Sequence, residues 1–260
     1  MVIIMNFIIH GSAGRMGQNL ITAVNKSGHS VCAGIDVYYK DHKAAEAFHT
    51  FPEIADCTQE IAALADCIID FSNHVTTVPL LQWAVAHKKP VMLATTGQTA
   101  EEKAFIEEAA KEIPIFRASN MSLGIATLIS LVKTAVCMFP DADIEIVETH
   151  HNQKLDVPSG TALSLAEAVK SVREESEFVV GRHENGKRRK EEVGIHSLRL
   201  GNVVGIHEVV ISTGNETITL KHEAHSRAVF ADGAVLAAAY LSECENPGIY
   251  TMDDLVATCK

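Results

Sequence analysis

The chain has 260 residues, 47% hydrophobic and 21% charged, an ordinary balance for a folded soluble protein that excludes disorder, collagen and coiled-coil arrays. At roughly 150 residues per domain it accommodates one large domain or two smaller ones, either with a sizeable core. Its 22 basic and 33 acidic residues leave a net charge of -11, which repels a polyphosphate partner and argues against nucleic-acid binding.

Six cysteines, at 32, 57, 67, 137, 244 and 259, show no CxxC spacing and fit a reducing, cytoplasmic setting. The apolar opening, residues 1–9, lacks a basic flank and runs into a glycine-rich turn, so it predicts a first strand rather than a signal peptide. Residues 124–140 are strongly apolar, but Lys133 interrupts them and the run falls short of the roughly 20 residues of a bilayer span, so no membrane segment is expected.

Residues 7–10 predict a buried strand, and the stripe Met16, Leu20, Ile21 and Val24 predicts a helix ending near Gly28. Further strands are expected at 31–36, 67–71, 91–95 and 114–117, with helices at 77–88 and 100–112. Such alternation implies right-handed crossovers and an α/β, Rossmann-like, doubly wound parallel sheet with helices on both faces. After Met121 the rhythm changes. A helix is expected over 122–139, a strand over 144–148 and a helix over 161–172. Strand runs then fill 193–221, with Gly214-Asn215 as a hairpin signal, which together describe an α+β second domain. The charged run ENGKRRKEE at 184–192 is expected to be a solvated loop. An Ala-rich helix over 227–241 is expected to pack back on the first domain. The expected division is 1–121 with 231–260 for a dinucleotide-binding domain, and 122–230 for a substrate-binding and oligomerisation domain.

Between the first strand and helix stand Gly11, Ser12, Ala13, Gly14, Arg15, Met16 and Gly17. Small residues here let backbone N–H groups approach a pyrophosphate at a helix N-terminus, where a Cβ would block the approach. The spacing is GxxGxxG, with Ala13 in place of the usual middle glycine. Asp36 follows Gly17 by 19 residues, near the expected position of a carboxylate that accepts from ribose hydroxyls. Val37 follows it where NADPH would ask for an arginine, so NADH is favoured; Lys40 and Lys43 lie close enough in sequence to hold a 2′-phosphate and keep NADPH in play.

The segment Glu148 to Ala162, ETHHNQKLDVPSGTA, packs His150, His151 and Lys154 into five residues, then places Ser159, Gly160 and Thr161 at the opening of a helix. Cations and helix N-terminal amides converging in an acidic protein suit a small dicarboxylate. His and Lys can also supply the proton that a reduced C=N or C=C takes up. A metal role for the histidines is disfavoured, because neighbouring strand residues point opposite ways and no HExxH or CxxC pattern exists.

With GxxGRMG at 11–17, Thr-Thr-Gly at 95–97, Ser-Asn-Met-Ser at 119–122, HHxxKxDxPSGTA at 150–162, VVGIH at 203–207 and HEAHSRAVFADG at 222–233, the chain resembles the dihydrodipicolinate (4-hydroxy-tetrahydrodipicolinate) reductases. The resemblance implies a Rossmann-like domain rejoined by the C-terminal helix, an α+β domain that builds a homotetramer, and hydride transfer from NADH or NADPH in the diaminopimelate route to lysine. It implies that Gly11, Ser12, Ala13, Gly14, Arg15, Met16 and Asp36 hold phosphates and adenosine ribose. It assigns Ala94, Thr95, Thr96, Ala118, Ser119, Asn120 and Met121 to the nicotinamide half, with Arg227 reaching the cofactor from the hinge. His150 matches the family's proton donor/acceptor and Lys154 its proton donor; His151, Ser159, Gly160 and Thr161 match the substrate-binding turn. Four positions depart from the family pattern: Val37, Ala94, Met121 and Val157. Two other readings share part of these features. A homoserine- or aspartate-type dehydrogenase would share the nucleotide half without HHxxKxDxPSGTA, and a redox-sensing module would need a partner-binding element, for which no basic recognition helix is evident.

Overall fold

A computed structural model describes residues 3–38 and 48–258. The chain divides into two compact units, Met1–Ser122 with Ala228–Lys260, and Leu123–Arg227. The first unit begins with β1 (Asn6–His10), α1 (Arg15–Lys26), β2 (Ser30–Ile35), β3 (His49–Phe51), a 3-10 turn at Ile54–Asp56, and α2 (Gln59–Leu64). It continues with β4 (Cys67–Asp70), a second 3-10 turn at His74–Thr76, α3 (Thr77–Ala86), β5 (Val91–Leu93), α4 (Ala100–Ala109) and β6 (Pro114–Arg117). Phe7, Ile8 and Ile9 in β1 and Ile68 and Ile69 in β4 are fully buried, as expected of parallel strands covered on both faces.

The expected strands at 67–71 and 91–95 end sooner, at Asp70 and Leu93, because the chain leaves the sheet there to form loops beyond its carboxyl edge. The helices expected to reach 88 and 112 also stop earlier. Lys88 adopts a left-handed φ of 51° just past α3, and α4 ends before Ile113 is drawn into the core ahead of Pro114. The stop signal at Gly28 is observed: its φ is 77°, and its N–H closes on the Asn25 carbonyl.

The second unit holds α5 (Leu123–Met138), β7 (Asp143–His150), α6 (Gly160–Lys170), β8 (Glu177–Val180), β9 (Glu192–Arg199), β10 (Gly205–Ser212) and β11 (Thr217–Ala224). Its sheet order is β11-β10-β7-β9-β8, antiparallel where β10 meets its neighbours and parallel across β7, β9 and β8. Ile125, Leu128 and Val132 of α5 and Leu165 and Val169 of α6 pack on Ile144, Ile146, Val193, Ile195, Val209 and Ile211 of the sheet. The apolar run at 124–140 is thus spent on this core, and no helix among the described residues is long and apolar enough to cross a membrane. The Gly214-Asn215 hairpin forms, closed by the Thr213 N–H to the Glu216 carbonyl at 3.0 Å.

The charged run departs from the expected solvated loop at its end. Glu192 is buried as the first residue of β9 and receives the Arg182 and Arg189 guanidiniums, while Arg188 donates to the Ile144 carbonyl at 2.9 Å. Cations that look solvated in sequence close this end of the sheet.

The chain then returns to the first unit as α7 (Ala228–Ser242), β12 (Gly248–Tyr250) and α8 (Met252–Ala257). β12 completes a parallel seven-stranded sheet in the order β12-β6-β5-β4-β1-β2-β3, the doubly wound arrangement with its reversal between β1 and β4. α7 buries Ala231, Gly233, Ala234, Ala237 and Ala238, small residues that let it lie close to α1 and the strands. The short β3, α2, β8, β12 and α8 carry no strong sequence period and are not anticipated.

Gly17 sets the packing of α1 on the preceding turn: a Cβ there would stand 2.2 Å from the Gly11 carbonyl oxygen. Because that oxygen belongs to backbone, Gly17→Ala is expected to cost about 1–3 kcal/mol, measured as a lowered urea midpoint with unchanged slope.

Candidate active site

In the first unit the turn after β1 is built from backbone. Gly11 has φ 84°, and a Cβ on it would meet the Phe71 carbonyl oxygen at 2.4 Å. Gly14 is the N-cap of α1 and brings no side-chain cap, so the helix presents its first-turn amides uncovered by any side chain of its own. Asp36, just past β2, accepts the Ala13 and Tyr38 amides, each at 2.9 Å, which ties the glycine turn to the end of the second strand. A cavity of about 760 Å³ opens there, lined by Gly11, Ala13, Gly14, Asp36, Tyr38 and Trp83 among others. A helix N-terminus capped by glycine, a carboxylate and an aromatic-lined cavity fit a dinucleotide.

Other residues assigned to the nicotinamide half lie in the same unit. Thr95 Oγ1 accepts the Ser72 amide at 2.8 Å, and the Thr95 carbonyl accepts Gln98 Nε2 at 2.7 Å. Thr96 and Ser119 are exposed, Ala118 and Asn120 half-buried, and Asn120 Oδ1 accepts the Ser122 amide. Ala94 and Met121 are buried. Arg15 and Arg227 are exposed, Arg227 as the last residue of the second unit. Lys40 and Lys43 lie outside the described residues.

In the second unit one polar network joins the histidine and lysine segment. Glu148, with no exposed surface, accepts both terminal nitrogens of Arg199 at 2.8 and 2.9 Å, the Ser159 amide at 3.2 Å, and His150 Nδ1 at 2.5 Å. Arg199 also donates to the Asp156 carbonyl at 2.8 Å, and the Asp156 carboxylate holds Lys154 Nζ at 2.8 Å. His207 approaches Ser159 Oγ at 3.2 Å and lies edge-on to His150 with ring centroids 5.1 Å apart. His150 and Lys154 are thereby the two ends of a single chain of contacts through Glu148, Arg199 and Asp156.

Ser159 plays a different part from the one its sequence position suggests. It is buried, its hydroxyl caps α6 by accepting the Ala162 amide at 3.1 Å, and its own amide is given to Glu148. It fixes the turn that presents Gly160, which is exposed, and Thr161, which is half-exposed. His151 follows the last residue of β7 and is half-buried, its carbonyl accepting the Lys154 amide.

The electrostatics set the protonation states. Burial works to raise the Glu148 carboxyl, but the hydrogen bonds from Arg199 and His150 overcome it and hold the group down at about 2. An ionised carboxylate only accepts, so His150 Nδ1 carries the hydrogen and Nε2 is the acceptor. Burial lowers His150 below its ordinary value against the opposing pull of Glu148, which keeps the ring neutral near pH 7. A Cβ on Gly205 would stand 3.1 Å from His150 Nε2, so that glycine leaves room beside this nitrogen. Burial, then the neighbouring His150, pushes His207 down to about 4.

Glu148 and Arg199 were not singled out by sequence reasoning. Glu148 stands two residues before His150, hence on the same strand face, and that i, i+2 spacing is the one signal that marks it. Arg199 lies 51 residues from Glu148, beyond any local pattern.

Both depressed groups stabilise the fold with the same sign. The Glu148 contribution, about 3 kcal/mol for a shift from 4.5 to about 2, is present above pH 4.5 and lost as pH falls toward 2. That of His207 is present above pH 6.5 and lost as pH falls through about 4. Urea unfolding of Glu148→Gln is expected to show lower stability at pH 7 and a shallower loss between pH 4.5 and 2.5 than the parent; parallel acid limbs would contradict the ionised, paired carboxylate.

Comparison with known proteins agrees with this geometry. Residues 5–121 match the family profile described as dihydrodipicolinate reductase, N-terminus, and residues 124–256 the one described as its C-terminus. A 4-hydroxy-tetrahydrodipicolinate reductase from Caldanaerobacter subterraneus is 45% identical over 258 residues, covering 97% of this chain and 98% of that one. One from Clostridium botulinum is 38% identical over 259 residues, covering 98% and 100%. The solved structure of a dipicolinate-bound dihydrodipicolinate reductase from Paenisporosarcina sp. TG-14 shares the fold, with a TM-score of 0.79 at 22% identity over 96% of this chain and 98% of that one. With both halves matched in order and relatives this similar along their whole length, the chain belongs to the dihydrodipicolinate reductase family.

Proposed function

We propose that the chain reduces 4-hydroxy-tetrahydrodipicolinate to tetrahydrodipicolinate, with loss of water, in the diaminopimelate route to lysine. The observation that carries this reading is the continuous network from Lys154 through Asp156, Arg199 and Glu148 to His150, whose carboxylate also fixes the turn at Ser159. It groups two proton-handling side chains with helix amides suited to a dicarboxylate. A structureless pair of loop histidines would have no reason to be tied to a fully buried ion pair.

The substrate is a cyclic imine with two carboxylates and a 4-hydroxyl. Loss of the hydroxyl as water gives a conjugated imine, ring C4 takes up hydride, and the resulting enamine takes up a proton. The glycine turn and Asp36 would hold the phosphates and adenosine ribose of a reduced nicotinamide dinucleotide, which would supply the hydride. The first amides of α6, at Gly160 and Thr161, receive one carboxylate, Lys154 offsets the dianion's charge, and His151 contacts the substrate. His150 accepts or returns a proton at Nε2 while Glu148 fixes its ring. Lys154 donates at Nζ, with Asp156 holding that group in place. Each such proton transfer typically contributes about 10² to 10⁴ in rate.

NADH is the favoured donor, since Asp36 offers a carboxylate to ribose hydroxyls and Val37 no cation to a 2′-phosphate. Ala94, Thr95, Thr96, Ala118, Ser119, Asn120 and Met121 are assigned to the nicotinamide half, and Arg227 to reach the cofactor from the hinge. The face of the second-unit sheet opposite its helices carries Val147, Ile206 and Val210, half-buried, beside the exposed Leu198, and suits assembly into a homotetramer. Sedimentation as a monomer at micromolar concentration would argue against that assembly.

The deciding experiment compares NADH and NADPH oxidation with enzymatically generated substrate. Turnover is expected with both, at lower KM for NADH. Lys154→Ala and His150→Ala are each expected to lose about 10²-fold or more in kcat while binding NADH as the parent does. Near-normal turnover in both variants would remove their assignment.

A further inference from the structure

The first unit holds a second buried acid–base pair, at the topological switch point of its sheet. His10 ends β1 and Asp70 ends β4, and the two are register partners across the strands between which the order reverses. Their side chains meet at 2.7 Å, His10 Nδ1 to Asp70 Oδ1. Ser72 Oγ donates to the same oxygen at 2.5 Å and lies 3.0 Å from Thr76 Oγ1. Both partners are withdrawn from water, His10 with 5% and Asp70 with 1% of its surface exposed. Asp70 Oδ2 makes no hydrogen bond, and His10 is the carboxylate's one cationic-type partner among the described residues.

Parallel strands buried on both faces ordinarily end in apolar residues, and a buried polar pair costs free energy unless it is matched or used. His10 immediately precedes Gly11 and lines the same cavity as the glycine turn, together with Ser72 and Thr76. Its Nδ1 is committed to Asp70 and Ser72, whereas Nε2 has no partner among the described residues. Open α/β sheets bind ligands in the crevice beyond the strand ends at the switch point.

We propose that His10 is a dinucleotide-binding residue, its Nε2 accepting from a hydroxyl of the ribose beyond the diphosphate, with Asp70 as the positioning residue that holds Nδ1–H. The inference rests on the dinucleotide reading of the first unit. Asp36 then serves the adenosine side and His10 the crevice between β1 and β4. A neutral hydrogen bond of this kind corresponds to several-fold to about tenfold in affinity.

The test is equilibrium binding of NADH, ADP-ribose, ADP and AMP to the full chain, by fluorescence or calorimetry, without substrate. His10→Ala is expected to weaken NADH roughly tenfold and leave AMP unchanged. ADP-ribose is expected to weaken with NADH while ADP stays unchanged; an equal loss for ADP overturns the assignment to the sugar hydroxyl. Asp70→Asn is expected to weaken NADH by a smaller factor and to add no further loss in the His10→Ala background. Should His10→Ala not fold, His10→Phe, which fills the site without a ring nitrogen, takes its place. Parent-like NADH binding, or an equal loss for AMP, overturns the assignment of His10; an additional loss from Asp70→Asn in the double variant overturns that of Asp70. Failure of the parent to bind NADH overturns the dinucleotide reading instead.

Discussion

Left alone in a protein interior, the Glu148 carboxylate would cost several kcal/mol in lost hydration, and the compensation for that cost organises the second unit. Its partners come from separate parts of the chain: Arg199 from β9, His150 from its own strand, and the Ser159 amide from the loop ahead of α6. The pairing therefore does three jobs at once. It joins two strands, sets the tautomer of His150, and anchors the N-terminus of α6. Loss of any partner would leave a charge buried without compensation, which is why a structural and a chemical role cannot be separated at this residue.

The first unit reaches its binding geometry by the opposite route, by removing side chains rather than pairing them. Gly11 and Gly17 stand where a Cβ would collide with backbone oxygen, and Gly14 caps α1 without a side chain. What remains is a row of amides at a helix start, with Asp36 tying the turn to β2. Backbone dipoles so fixed need no reorganisation to receive a diphosphate.

The four departures from the family pattern have unequal consequences. Ala94 is buried and its amide bonds the Asp70 carbonyl, so a methyl is accommodated at the end of β5. Met121 is buried too, where a flexible thioether can fill the space of a ring. Val157 is largely exposed ahead of a cis bond to Pro158. Val37 is likewise exposed and places an apolar side chain next to Asp36 in sequence.

The sequence alone determined most of what is local. The apolar runs marked β1, β4 and β6, the glycine spacing marked the turn into α1, and HHxxKxDxPSGTA marked the family, because each is written in residues a few positions apart. Short elements such as β3, β8 and β12 were invisible, since three or four residues hold no period and form only by pairing with a neighbour. The tertiary structure decided which charges meet: Arg199 with Glu148, Arg182 with Glu192, and His10 with Asp70. Such pairings join residues separated by up to 60 positions, and only the closing of the sheets brings them within reach of one another.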